Sequence, residues 1–269
     1  MLERTRPGAL PPKQDIIRAV TDQRRRTLSF VAGLDAAQFE TEVLPNWRVR
    51  EVLAHLITTD RSAVTGSILT TVFGSMERLE AWNERQVPRY ANRHPADLLV
   101  ALDRWGRRFA RFARAIPGPM YRVRMPTIWG RGSGGMLVFG RAYDEWVHRQ
   151  DMRRAFGQPD EDVDLAPIVE FLFAATRTHV LPQLRHAEGR IGVSLSGLPL
   201  PEWRFDLSAG TAGPADDDQA DARVMASGPD FVMTAAGRGS FADLEQRGRL
   251  TIEGDAGLAR SFLEPLRIV

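Results

Sequence analysis

Arg141-Ala142-Tyr143-Asp144-Glu145-Trp146-Val147-His148-Arg149-Gln150-Asp151 sets a carboxylate and an imidazole four residues apart in a chain that has five histidines. On a helix, residues four apart share a face with Cβ atoms roughly 5–6 Å apart, so Asp144 and His148 could hold one ion between them. Glu145, three residues before His148, is the alternative carboxylate; the four-residue spacing stacks side chains more directly and favours Asp144. A third ligand must come from another segment. His55 is the candidate, a lone imidazole among apolar residues in the helical pattern Asn46-Trp47-Arg48-Val49-Arg50-Glu51-Val52-Leu53-Ala54-His55-Leu56. Two histidines and one carboxylate with positions left open form the donor set of a catalytic rather than a structural zinc site, and they also suit iron, nickel or manganese. Spacing alone is a weak signal, because an acid four residues from a histidine is common and most helical histidines are core or surface residues.

Helical patterning surrounds both segments. Pro11 and Pro12 precede a first helix whose apolar residues recur through Leu28, Phe30 and Val31 until Gly33. A second long helix is expected from about Val49 to about Val72, and a third from about Pro95 to about Ala115, stopping at Pro117-Gly118-Pro119. A fourth, from about Met136 to Ala155, carries Asp144 and His148 and ends at Phe156-Gly157-Gln158-Pro159. Four such helices suit an up-down bundle, in which metal sites form between facing helices. Trp47, Trp105 and Trp146 read as core fillers, and His94, His179 and His186 as ordinary residues. The stretch Trp129-Gly130-Arg131-Gly132-Ser133-Gly134-Gly135 lacks the strand and lysine of a phosphate-cradling loop, and reads as a flexible connection.

From about Asp160 the texture changes. Pro167 to Leu184 reads as a helix, Ile191–Leu195 and Trp203–Leu207 as strands, and Pro229–Ala236 and Phe241–Gln246 as short helices. Leu250–Glu253 reads as a strand and Leu258–Leu266 as a closing helix. Thr211 to Asp221, with Asp216, Asp217 and Asp218, reads as a solvent loop without convincing calcium-ligand spacing. The expected fold class is therefore α+β: a bundle over 1–160 and a smaller α+β domain over 161–269.

Composition narrows the function. Thirty-six basic and 34 acidic residues leave a formal charge of +2, with no long basic run and no aromatic RNA-binding signature, so nucleic acid is not the expected partner. No apolar stretch has the length of a membrane span and the start does not read as a signal peptide, which makes the cytoplasm the expected location. The absence of cysteine excludes disulfides, thiolate ligands and a cysteine nucleophile. Any thiol chemistry must use a thiol brought in as a cofactor. Lys13 is the only lysine, which removes most lysine-based catalysis.

The segments Asn46–Leu56 and Asp144–Asp151 resemble the actinobacterial mycothiol-dependent maleylpyruvate isomerase family, whose N-terminal domain is a DinB-like four-helix bundle. Gly228-Pro229, Ala236-Gly237-Arg238, Gly248-Arg249-Leu250 and Gly254-Asp255 resemble that family's C-terminal domain, which is similar to sterol carrier protein 2. The resemblance implies a divalent metal, usually zinc, on His55, Asp144 and His148, with mycothiol as the thiol cofactor. The family's middle ligand is a glutamate, where this chain has the shorter Asp144. It also implies an arginine in the C-terminal domain for isomerisation, matched by eye to Arg238, which would steady a substrate carboxylate or an enolate. Asp151 is expected to orient a ligand or cap the helix. The expected partners are a small electrophilic substrate and a low-molecular-weight thiol, and the reaction is isomerisation or thiol transfer. The alternatives are a non-catalytic module sheltering a small or apolar ligand, and a metal-dependent hydrolase that needs no thiol.

Overall fold

The computed structural model describes residues 10–67, 76–215, 217 and 219–268. Contacts divide the chain into two compact units between Asp160 and Glu161, with Trp129–Gly132 grouped with the second.

The first unit is built on four long helices. Helix α1 (Lys13–Val31) starts where Pro12 supplies a free carbonyl to the Asp15 N–H at 2.9 Å, as expected of a proline just outside a helix. A short hairpin, β1 (Glu42–Leu44) and β2 (Trp47–Arg48), turns through Asn46 at φ 65°, a left-handed position that asparagine tolerates. Helix α2 (Val49–Thr65) opens with Glu51 Oε2 accepting from the Arg48 N–H at 2.9 Å and closes at Gly66 with φ 75°. It is thus shorter than the sequence pattern suggested, and the expected continuation over 68–72 lies outside the described residues. Two helices not anticipated from sequence follow, α3 (Met76–Gln86) and α4 (Pro88–Ala91). Helix α5 (Pro95–Ala115) is capped at its start by His94, whose Nδ1 accepts from the Ala96 N–H at 3.3 Å. The short α6 (Gly118–Arg122) and strands β3 (Arg124–Thr127) and β4 (Gly130–Ser133) lead to α7 (Gly134–Ala155), where Ser133 caps the Met136 N–H at 3.3 Å. The core lies between α2 and α5, where Val52, Leu53, Leu56 and Ile57 meet Leu98 and Leu102. Helix α7 is buried on nearly every side, including its charged Arg141, Glu145, Arg149 and Asp151.

The expectation of a flexible connection at 129–135 is corrected. Trp129 packs edge-on to Phe171 with centroids 5.1 Å apart, and Gly130 (φ 83°) lies so close to the Thr178 carbonyl that a Cβ would come within 2.3 Å of its oxygen. Only glycine fits there.

In the second unit α8 (Ala166–His179) precedes a five-stranded sheet of order β7-β6-β5-β8-β9, formed by β5 (Arg190–Ser196), β6 (Trp203–Asp206), β7 (Thr211–Pro214), β8 (Ala222–Ser227) and β9 (Leu250–Gly254). The β5–β8 pair is parallel and the others antiparallel. Helices α9 (Gly228–Ala235), α10 (Phe241–Gln246) and α11 (Ala256–Leu263) complete it. Its core is aromatic: Phe173 contacts Trp203, Phe205 and Phe231 at centroid distances of 5.0, 5.4 and 6.1 Å. Thr211–Pro214 is a strand with Ala212 and Gly213 buried, not the solvent loop expected; of the aspartate triple, 216 and 218 lie outside the described residues, and Asp217 accepts from Arg204 Nη1 at 2.7 Å. No helix among the described residues is long and apolar enough to cross a membrane.

The single lysine closes the bundle. Lys13 Nζ donates to the Arg114 and Ile116 carbonyls at 2.7 and 2.5 Å, at the C-terminal end of α5, and lies 5.1 Å from the Tyr121 ring centroid. A cation there satisfies end carbonyls and the helix dipole together. Lys13→Met, which keeps the apolar stem, is expected to cost about 1–2 kcal/mol in a urea titration; an unchanged midpoint would refute this capping role.

Candidate metal centre

Helix α2 carries His55 and α7 carries Asp144 and His148, and the bundle brings one donor atom of each to within 4.8 Å of the others. Asp144 Oδ1 stands 3.4 Å from His55 Nε2 and 3.4 Å from His148 Nε2. For bonds near 2.1 Å, the edge of a metal tetrahedron is roughly 3.4 Å; the two edges that meet at Asp144 Oδ1 have that length and the edge between the imidazoles is bounded at 4.8 Å, so the three residues could hold a divalent ion. The side chains of His55 and His148 keep 8 and 10% of their surface and that of Asp144 keeps 30%, so the cluster opens on the Asp144 side.

The three donors are supported unequally: Asp144 by a hydrogen bond, His148 by a nearby carboxylate and His55 by ring packing, its Nδ1 being buried without a hydrogen-bond partner. His148 Nδ1 lies 3.2 Å from Asp151 Oδ2, within ion-pair distance and without the alignment of a hydrogen bond, so a second carboxylate flanks this imidazole on the side away from Asp144. Asp144 Oδ2 accepts from Arg141 Nη1, so one carboxylate oxygen is tied back and the other faces the imidazoles. Trp47, placed by the β1–β2 turn, lies 5.3 Å from the His55 ring and 6.1 Å from the His148 ring, stacked on the latter at 26°. Trp47 packs against the bundle core, as its reading as a core filler expected, and its ring also covers the cluster, a second role that reading did not include. Trp146 is fully buried and Trp105 is half-buried beneath Arg108.

Glu145 is committed elsewhere. Its carboxylate accepts from Arg24 Nε and Nη2 at 2.9 and 2.7 Å, on a different side of α7 from Asp144. Arg24 also contacts Asp60 at 2.8 Å, and Asp60 accepts from Arg141 Nε at 3.0 Å. An alternating buried chain thus runs Glu145–Arg24–Asp60–Arg141–Asp144. Arg24, Asp60 and Arg141 were missed in the sequence. Arg141 had a legible signal, three residues before Asp144 on the same helix; Arg24 and Asp60, on α1 and α2, had none.

Charge follows geometry. Burial holds His55 below the ordinary imidazole value, only partly offset by Asp144. Burial also opposes a charge on His148, but Asp144 and Asp151 outweigh it and push His148 up to about 9. Asp144 lies well below the carboxylate range: burial works against this, and His55 and Arg141 overcome it. The remaining residues are elsewhere. Arg238 belongs to the second unit, on the turn after α9, where its Nη1 donates to the Ala236 carbonyl at 2.7 Å. His94 is a helix cap, and His179 and His186 lie in the second unit.

Fold and cluster define a two-unit protein, a helical bundle carrying a histidine–carboxylate–histidine triad followed by an α+β unit. The sequence matches the model of the mycothiol maleylpyruvate isomerase N-terminal domain over residues 20–153 and that of the SCP-2 sterol transfer family over 172–267. The chain belongs to the mycothiol-dependent maleylpyruvate isomerase family. Among solved structures, the mycothiol-dependent maleylpyruvate isomerase superposes with a TM-score of 0.57 at 17% identity, over 85% of this chain and 90% of that one. A histidine-to-alanine mutant of that isomerase gives a TM-score of 0.53 at 18% identity, with the same coverage. None of the curated proteins matches the chain.

Asp60 lies between two buried guanidiniums, so Asp60→Ala leaves both short of a counter-charge and is expected to destabilise the fold by about 3–5 kcal/mol. Asp103→Ala, which breaks the exposed pair with Arg107 at 2.6 Å, should leave the urea midpoint in place. Equal effects of the two would show that burial of the chain carries no energetic weight.

Proposed function

We propose that the chain is a metal-dependent enzyme that uses mycothiol to isomerise a small electrophilic substrate or to transfer the thiol to it. One observation supports this above others: His55, Asp144 and His148 converge at metal-donor spacing inside the isomerase fold. The chain has no cysteine, so the nucleophilic sulfur has to be supplied from outside.

His55, Asp144 and His148 would hold the ion, and their donor set favours zinc. A bound divalent metal lowers the pKa of a thiol and supplies it as thiolate near neutral pH. Asp151 would support the His148 imidazole electrostatically from its Nδ1 side, and Arg141 would keep one oxygen of Asp144 turned to the imidazoles. Trp47 shields both imidazoles from water. Arg238 would bind the substrate carboxylate and steady the enolate formed as sulfur adds to the carbon–carbon double bond. While Arg238 holds that enolate, the former double bond is free to rotate; loss of the thiol then completes isomerisation, and protonation of the enolate instead leaves a thioether.

The test combines elemental analysis with turnover of maleylpyruvate in the presence of mycothiol. Wild type is expected to carry an equimolar amount of zinc or a similar ion, which His55→Ala and His148→Ala lose while keeping their helical content. Asp151→Asn should weaken metal binding by about 10–100-fold, and Arg238→Ala should abolish turnover at full metal content. A wild type without metal would falsify the reading, and hydrolytic cleavage of the substrate without added thiol would replace it with a hydrolase.

A further inference from the structure

A cleft of about 670 Å³ lies between α1, α5 and α7 and is not lined by His55, Asp144 or His148. Small-molecule sites span roughly 300–1,000 Å³, so it has room for a ligand. Its floor is the buried chain of Arg24, Asp60, Arg141 and Glu145, whose charges already satisfy one another. Gly106 lets Arg24 cross beneath α5, since a Cβ there would sit 2.7 Å from Arg24 Nη1. The wall is apolar, with Val20, Leu28 and Phe109.

The rim carries the unsatisfied charge. Arg107, Arg111 and Arg114 recur at positions i, i+4 and i+7 of α5, one face of the helix. Arg107 is paired with Asp103 at 2.6 Å. Arg111 makes a hydrogen bond of 3.4 Å to the Arg107 carbonyl, and among the described residues neither Arg111 nor Arg114 has a carboxylate partner. Six arginines line the cleft against three carboxylates.

We propose that this cleft is a second binding site, for a small organic anion with an apolar body. Its acidic head would pair with Arg111 and Arg114, where the planar guanidinium fork suits a carboxylate, sulfonate or phosphate. The body would lie along this wall and remove from water the surface that half-buried Leu28 still exposes there, Val20 and Phe109 being already buried behind it. An inorganic ion lacks the second contribution and a neutral apolar compound lacks the first.

The probe is the fluorescent dye anilinonaphthalene sulfonate, titrated into the full chain beside its uncharged analogue phenylnaphthylamine. Wild type is expected to bind the anionic dye about tenfold or more tightly than the neutral one, the worth of one or two charge-assisted hydrogen bonds. Both Arg111→Glu with Arg114→Glu and Thr21→Trp, which fills the cleft without changing its charge, should weaken the anionic dye by a similar factor. Metal content should stay at its wild-type level in each. Leu28→Trp serves as the plug if Thr21→Trp loses its helical circular dichroism. Unchanged affinity in either the charge-reversed or the plugged protein, equal binding of the two dyes, or no binding at all would each overturn the proposal.

Discussion

Asp60 is 2% exposed and sits between two guanidiniums, those of Arg24 and Arg141, at 2.8 and 3.0 Å. Removing three charged groups from water is costly; the cost is offset because Asp60 Oδ1 accepts from Arg141, Oδ2 lies at ion-pair distance from Arg24, and each guanidinium has a further acceptor. Arg24 turns its remaining donors to Glu145 and to the Leu102 carbonyl at 2.7 Å, and Arg141 turns one to Asp144. Four helices are tied by this chain: α1 through Arg24, α2 through Asp60, α5 through its Leu102 carbonyl, and α7 through Arg141, Asp144 and Glu145. Apolar packing between α2 and α5 brings helices together without fixing their rotation to within an ångström; directional ion pairs do.

That rotational constraint bears directly on the histidines. His55 lies five residues before Asp60 on α2, and His148 lies seven after Arg141 on α7. Fixing Asp60 against Arg141 fixes the relative height of the two helices at the cluster and so bears on the 3.4 Å separation of His55 from Asp144, whereas the equal separation of His148 from Asp144 is set within α7 by their four-residue spacing. The same contact removes the second oxygen of Asp144 from play. A carboxylate free to rotate presents either oxygen, whereas one bound by a guanidinium presents only the other, already oriented.

Much of the bundle was legible because its helix ends are chemically marked. Pro95 and Pro117 bound the third long helix, and the observed Pro95–Ala115 agrees with the pattern. The second helix was overextended because apolar residues continue past Thr65, and Gly66 ends it with a left-handed turn that periodicity alone did not reveal. The β1–β2 hairpin, two or three residues a strand, is shorter than any period-two pattern can register, yet it is what brings Trp47 to the imidazoles. Strand β8 was likewise missed: Ala222–Ser227 is a strand because β5 and β9 flank it, a tertiary cause that local composition does not carry. The same holds for Arg24 and Asp60, 36 positions apart in the sequence, whose pairing exists only once the helices have packed.

Neighbouring carboxylates at 144 and 145 show how burial separates two similar side chains. Adjacent helical residues point about 100° apart, so on a helix buried on most sides they meet different partners. Glu145 meets Arg24, is enclosed, and is held below the ordinary glutamate value because that guanidinium outweighs the cost of burial. Asp144 meets two imidazoles and Arg141 and keeps an exposed edge. A carboxylate fully engaged by a bidentate guanidinium has little lone-pair capacity left for another cation, while one engaged at a single oxygen has a free oxygen facing the two nitrogens. Metal-donor capacity on this helix is therefore set by what each residue's direction meets, and the one-residue shorter spacing that left Glu145 open as a candidate ceases to matter once Arg24 is in place.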